Sequence, residues 1–207
     1  IDYGSGNLRS AEKAFQRMSA ETTGEEIVVS SDAEVVRKAD RIVLPGVGAF
    51  ADCRRGLDAA TGMVEVLEER AHKGSVPFLG VCVGMQLMAT VGCEHRDTDG
   101  LCWIAGEVVA LSPNDSELKI PHMGWNDISV SEHPIFDGID KNIGFYFLHS
   151  YFFKADKKKD VIATSCYQNE FDCAINNDNI CGFQFHPEKS HNNGIRLFKN
   201  FSDIFQC

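Results

Sequence analysis

No two of the eight cysteines (53, 82, 93, 102, 166, 173, 181 and 207) are spaced as C-x-x-C, and the 207-residue chain is too long to need disulfide staples for a core. That argues against a redox motif, a zinc ribbon and a small secreted scaffold, and it points to a reducing, cytoplasmic setting. No apolar run approaches the ~20 residues of a membrane helix, and no signal-peptide pattern is present. Basic charge is scarce: 20 Lys and Arg stand against 30 Asp and Glu, a formal net charge of -10. A nucleic-acid or acidic-membrane footprint is therefore not expected, and small molecules or proteins are the expected partners. Repeats, linkers and low-complexity tracts are also missing, so the expectation is one domain over 1–207. The chain opens at Ile1-Asp2-Tyr3 without a methionine, and the first strand is expected to have lost a few residues there.

What is present begins with Val76 to Met88. Val76 to Val81 reads as a strand covered on both faces, and Met85, Leu87, Met88 and Val91 then recur at helical spacing. Gly80-Val81-Cys82-Val83-Gly84 at the junction has the G-x-nucleophile-x-G form of a nucleophile elbow, with Cys82 at the bend. A helix N-terminus there favours an anion. A buried structural thiol in a glycine-rich turn is the competing reading of the elbow taken alone.

Upstream, Ile1 to Tyr3, Glu26 to Ser30 and Arg41 to Leu44 read as strands. Leu8 to Met18 and Ser31 to Lys38 read as helices, the second capped by Ser31 or Asp32. Gly4-Ser5-Gly6 lacks the third glycine of a dinucleotide fingerprint, since Arg9 stands in its place, and reads as a plain strand-to-helix turn. Pro45-Gly46-Val47-Gly48 leaves backbone N–H groups free to face a ligand. A helical stretch from about Asp52 to Lys73, interrupted near Thr61-Gly62, leads back to the elbow strand. This alternation means a parallel sheet with crossover helices.

The second half turns β-rich. Trp103 to Leu111, Leu118 to His122, Asn126 to Val130, Gly144 to Phe153, Val161 to Tyr167, Phe171 to Ile175 and Ile180 to Phe185 are short runs between turn residues. A closing helix carries Leu197, Phe198 and Phe201, with Ile204-Phe205 as a further apolar pair. The fold class expected is α/β: a single domain with a central, mostly parallel sheet flanked by helices, extended by antiparallel strands in the second half.

A cysteine nucleophile needs a base, and the base needs an orienting group. Gly182-Phe183-Gln184-Phe185 delivers His186-Pro187-Glu188 at a strand end, with Pro187 stiffening the turn so that His186 and Glu188 face one way. The predicted triad is Cys82, His186 and Glu188.

These motifs resemble the class I (triad) glutamine amidotransferases. Ile1 to Asn7, Leu44 to Phe50, Gly84 to Met88, Pro121 to Asn126, Tyr146 to Tyr151 and Gln184 to Ser190 are, in order, similar to the glutaminase subunits of imidazole glycerol phosphate synthases, enzymes of histidine biosynthesis. The resemblance implies that Cys82 attacks the side-chain amide of glutamine to give a thioester and ammonia. It implies oxyanion donors from the Gly46-Val47-Gly48 backbone, after a peptide there reorients, and from Val83. Gln86, Glu94 and the His149-Ser150 backbone would hold glutamine. The sequence departs from the family around Glu94, reading Gly92-Cys93-Glu94 where Ser-Glu-Glu is common. The implied partner is a (β/α)8-barrel cyclase, in a heterodimer, that receives the ammonia near Met123, Trp125 and Tyr146 and makes imidazole glycerol phosphate and AICAR. No cofactor or metal is expected; zinc through Cys93, His95 and Cys102, or through Cys166, Cys173 and Cys181, would need unusually loose spacing. Two alternatives stay open: ammonia delivered to another acceptor such as a sugar-amidating synthetase, and a catalytically silent binding module.

Overall fold

The computed structural model describes residues 1–5, 8–22, 24–113, 118–140 and 144–204. Gly6, Asn7 and Phe205, parts of motifs singled out above, lie outside the described residues.

In chain order the elements are α1 (Leu8–Glu21), α2 (Ala33–Arg37), β1 (Ile42–Gly46), α3 (Phe50–Ala59), α4 (Met63–Leu67), β2 (Phe78–Cys82) and α5 (Val83–Gln86). Then come β3 (Val91–Gly92), β4 (Thr98–Asp99), β5 (Gly106–Ala110), β6 (His122–Asn126), β7 (Ile128–Val130), β8 (Phe145–His149), β9 (Tyr151–Ala155), β10 (Val161–Tyr167), β11 (Asn169–Asn177), β12 (Ile180–Phe183) and α6 (His191–Ile204). The main sheet runs β1-β2-β12-β11-β10-β7. Its first three strands are parallel and the rest antiparallel. All five residues of β2 are buried, as expected of a strand covered on both faces. A four-stranded sheet, β4-β3-β5-β9, and a ribbon of β6 with β8 complete the architecture.

Helices cover the sheet through the predicted apolar positions. Phe15 of α1 stacks on Phe198 of α6 at 4.0 Å between ring centroids, and Leu197, Phe198 and Phe201 are buried. Asp32 caps α2, accepting the Glu34 N–H at 2.8 Å. The interruption at Thr61-Gly62 is real: Gly62 adopts φ 73° between α3 and α4, and the helical path then ends in a π-helical turn, Glu68–His72.

Five expected elements change. Ile1 to Tyr3 and Glu26 to Ser30 form no strands; the Asp2 N–H donates to the Ser30 carbonyl at 2.8 Å, but no ladder follows. Val28 and Val29 are both exposed, so the segment has no buried face to fix a strand register. The helix after the elbow stops at Gln86 instead of reaching Val91, because the incoming segment takes its carbonyls: Leu101 bonds Leu87, Cys102 bonds Ala89, and Trp103 and Ile104 both bond Met88. The strand expected over Leu118 to His122 begins at His122, and the run from Gly144 to Phe153 breaks at Ser150 into β8 and β9, which join different sheets.

Candidate active site

In register, Gly46 at the end of β1 pairs with Cys82 at the end of β2, and Val81 pairs with Phe183 at the end of β12. Three neighbouring parallel strands thus deliver their C-terminal ends to one edge, where open parallel sheets place their sites.

Cys82 turns the chain with φ 56° and ψ -114°, a strained backbone for a residue with a side chain, and is 4% exposed. The elbow glycines make this possible. A Cβ on Gly80 would lie 2.6 Å from the Gly84 carbonyl oxygen, and one on Gly84 would overlap the Leu44 carbonyl of β1. The Cys82 Sγ lies 3.9 Å from the Leu148 carbonyl and 3.8 Å from Gln184 Nε2.

From the end of β12 the chain passes through Gln184 and Phe185 to His186. The His186 N–H donates to the Tyr146 carbonyl at 2.8 Å, and the His186 carbonyl accepts from the Ser190 hydroxyl at 2.7 Å. Pro187 opens a 3-10 turn, Pro187–Lys189, that folds Glu188 back. His186 Nδ1 and Glu188 Oε1 are 2.8 Å apart, with side chains 3% and 5% exposed. The Nδ1 N–H donates to the carboxylate, and the buried Nε2 has no hydrogen-bond partner among the described residues. Burial disfavours the imidazolium, yet the adjoining Cys82 and then Glu188 outweigh it and raise the His186 pKa to about 10. Cys82, His186 and Glu188 are therefore brought together in one buried line.

The predicted oxyanion segment flanks them. Gly46 is wedged in place: a Cβ there would meet the Tyr3 hydroxyl at 2.6 Å and the Gly84 nitrogen at 2.8 Å. Val47 is 43% exposed, and its carbonyl accepts from the Ser5 hydroxyl at 2.7 Å. Gly48 adopts φ 123° with open space around it. Val83 opens α5 beside the sulfur.

The expected glutamine contacts are placed less uniformly. Gln86 is 3% exposed, and its amide nitrogen is already engaged by Gln184 Oε1 and the Tyr151 carbonyl, each at 3.0 Å. Glu94 accepts the N–H of Phe50 at 2.7 Å; Ala49, at the N-cap, makes no side-chain cap bond, so Glu94 takes one of the free donors of α3 just beyond the oxyanion segment. His149 is buried at the end of β8, and the Ser150 carbonyl is taken by the Leu111 N–H at 2.8 Å. Gln184, against the sulfur and fully buried, carried no assigned role from sequence. It lies with Phe185 in a bend beyond β12, so no strand alternation marked it.

On the outer face Met123 and Trp125 are 66% and 47% exposed, and Tyr146 is half-buried. Trp125 stacks on His191 at 5.0 Å, and Lys189 Nζ sits 5.3 Å over the Tyr146 ring. Among the described residues no group of three or more His, Cys, Asp or Glu converges as a metal site would require, and no helix is long and apolar enough to cross a membrane.

Comparison with known proteins places this geometry. The family described as glutamine amidotransferase class-I matches residues 1–204. The imidazole glycerol phosphate synthase subunit HisH of Brucella abortus is 55% identical over 206 residues, covering 97% of this chain and 95% of that protein. The protein of the same name from Cereibacter sphaeroides is 50% identical over 202 residues with the same coverage. Among solved structures, a glutamine amidotransferase superposes with a TM-score of 0.70 at 17% identity, over 97% of this chain and 94% of that one. The glutaminase domain of a Trypanosoma brucei CTPS, with acivicin bound, gives 0.64 at 14%, over 95% and 86%. At these identities the structures speak for the fold alone.

Proposed function

Because the chain belongs to the class-I glutamine amidotransferase family, we infer that it is, over its whole length, the glutaminase subunit of an imidazole glycerol phosphate synthase, releasing ammonia from glutamine for histidine biosynthesis. The observation that carries this reading is the buried line of Cys82, His186 and Glu188 at the edge of the parallel strands. In the reaction proposed, His186 carries the proton and Glu188 holds it through Nδ1, while the Cys82 sulfur attacks the side-chain amide carbon of glutamine. The oxyanion is met by N–H groups of Val83 and of the Gly46-Val47-Gly48 backbone. His186 gives the proton to the leaving nitrogen, ammonia departs, and a thioester remains. Water adds to the thioester, its proton going to His186 as the sulfur leaves, and glutamate is freed.

Gln86, Glu94 and the His149-Ser150 backbone are proposed to line the glutamine pocket. Free ammonia would be protonated and lost in water, so the product needs a direct acceptor. We propose a (β/α)8-barrel cyclase on the face bearing Met123, Trp125 and Tyr146, where an exposed Trp and Met on β6, paired with β8, supply an apolar anchor. The experiment is a glutaminase and synthase assay of the complex. Cys82→Ala is expected to abolish glutamine-dependent synthesis and to leave ammonia-dependent synthesis intact. Glutamine turnover at the wild-type rate in that variant would refute the mechanism, and failure to bind the cyclase would refute the partner.

A further inference from the structure

Gln184 and His186 follow β12 two residues apart, and both adjoin Cys82. The Gln184 side chain is fully buried, and its Nε2 points at the sulfur from 3.8 Å. Catalytic hydrogen bonds are often this long before substrate arrives.

The amide has no freedom to turn over. Its Oε1 accepts from Gln86 Nε2 at 3.0 Å, and the other Gln86 hydrogen goes to the Tyr151 carbonyl at 3.0 Å. That carbonyl also faces His149 Nδ1 at 3.0 Å, and because a carbonyl only accepts, Nδ1 carries the proton. His149 Nε2 must then accept from His122 Nδ1 at 3.0 Å, and His122 Nε2 in turn accepts from Asn126 Nδ2 at 3.3 Å. Every link has one polarity. Rotating the Gln184 amide by half a turn would set donor against donor at Gln86 and an oxygen against the sulfur. Both imidazoles must stay neutral for the line to hold, and burial does keep them so, lowering His149 to about 3 and His122 to about 4.

We propose that Gln184 is a further catalytic residue, whose amide N–H steadies negative charge on the Cys82 sulfur, and that Gln86, itself oriented by the Tyr151 carbonyl, is the positioning residue that holds the amide in that sense. The proposal rests on Cys82 being the nucleophile. A donor to a charged atom is worth more than one to a neutral atom, so the amide N–H acts most strongly where the sulfur carries negative charge.

Gln184→Met keeps the length of the side chain and removes the N–H. In the complex with its cyclase, this variant is expected to lower kcat for glutamine about tenfold with KM held within about twofold, the scale of one lost donor to a charged group. Iodoacetamide labelling of Cys82 at pH 7, read on its own peptide by mass spectrometry, is expected to slow by a similar factor. A merely structural role would move the melting temperature and leave the labelling rate alone. Unchanged kcat and labelling in a folded Gln184→Met overturns the proposal, as does an effect confined to KM. Should that variant fail to fold, Gln86→Met, which removes the donor to Gln184 Oε1, carries the test. Its labelling rate is expected to fall about twofold to threefold, and a wild-type rate overturns the positioning role. If instead Cys82→Ala retains glutaminase activity, the nucleophile reading fails, and the inference with it.

Discussion

The ends of β1 and β2 lie side by side in register, Gly46 against Cys82, yet they are built in opposite ways. The β2 end is closed: Cys82, Val83 and Gly84 are buried, the backbone is strained, and the glycines are hemmed in by main chain. The β1 end opens within two residues of Gly46, with Val47 exposed and nothing near the Gly48 Cα. A nucleophile needs one fixed position, and close packing around a strained turn supplies it. On the proposed mechanism the Gly46-Val47-Gly48 N–H groups meet a charge that exists only briefly, and an unhindered glycine gives them room to adjust.

The comparison breaks most sharply at Gly84. A methyl group there would run into the Leu44 carbonyl, which belongs to β1 and cannot give way, so Gly84→Ala is expected to cost about 3 kcal/mol or more. A denaturant titration reads it, and wild-type stability would show that the elbow is not held as described. Next in size is acid. His149 binds its proton in the folded state only near pH 3, against about 6.5 when unfolded. The unfolded chain therefore takes up more protons, and the stability that His149 contributes is present above about pH 6.5 and lost as pH falls from there toward 3. Between pH 7 and 5 it should fall by about 2 kcal/mol, and His149→Phe should flatten that slope. His186, raised to about 10, has the opposite sign: its contribution is complete below about pH 6.5 and is lost as pH rises through 10.

Smaller effects belong to the open end. Gly48→Ala meets no steric obstacle but must hold φ 123°, so a loss of about 1 kcal/mol is expected, together with a fall in kcat. Equal kcat would remove Gly48 from the oxyanion segment. Ser5→Ala deletes the hydroxyl on the Val47 carbonyl, with an expected cost of about 0.5–1 kcal/mol in the same titration.

The closed end was legible in the sequence and much of the rest was not. Gly80 to Gly84 and His186 to Glu188 state their geometry locally, because a strand, a turn and a proline set where those side chains go. The parallel order of β1 and β2 and the buried faces of α1 and α6 followed equally from period and spacing. Gln184 and His122 gave no such signal, and His149 was singled out for its backbone alone. Their places come from hydrogen bonds between residues far apart in the chain, and a lone polar residue in an apolar run carries no mark of its partner. Glu94 was picked out as a glutamine contact, but its bond to the first N–H of α3 depends on two loops meeting. The strand over Glu26 to Ser30 failed for a related reason: its valines match a strand composition but bury no face.

The placement of β12 beside β2 also dictates when the site can exist. Gln184 and Cys82 stand 102 residues apart, and β2 gains its second neighbour only when β12 arrives. A growing chain carries its elbow strand unpaired on one edge through the synthesis of the whole antiparallel half. Long-range closure of this kind is slow, and it leaves an apolar edge exposed while it waits. On the proposed mechanism, glutamine hydrolysis therefore waits for β12, and a chain that ends before β12 holds the Cys82 elbow without His186 or Glu188.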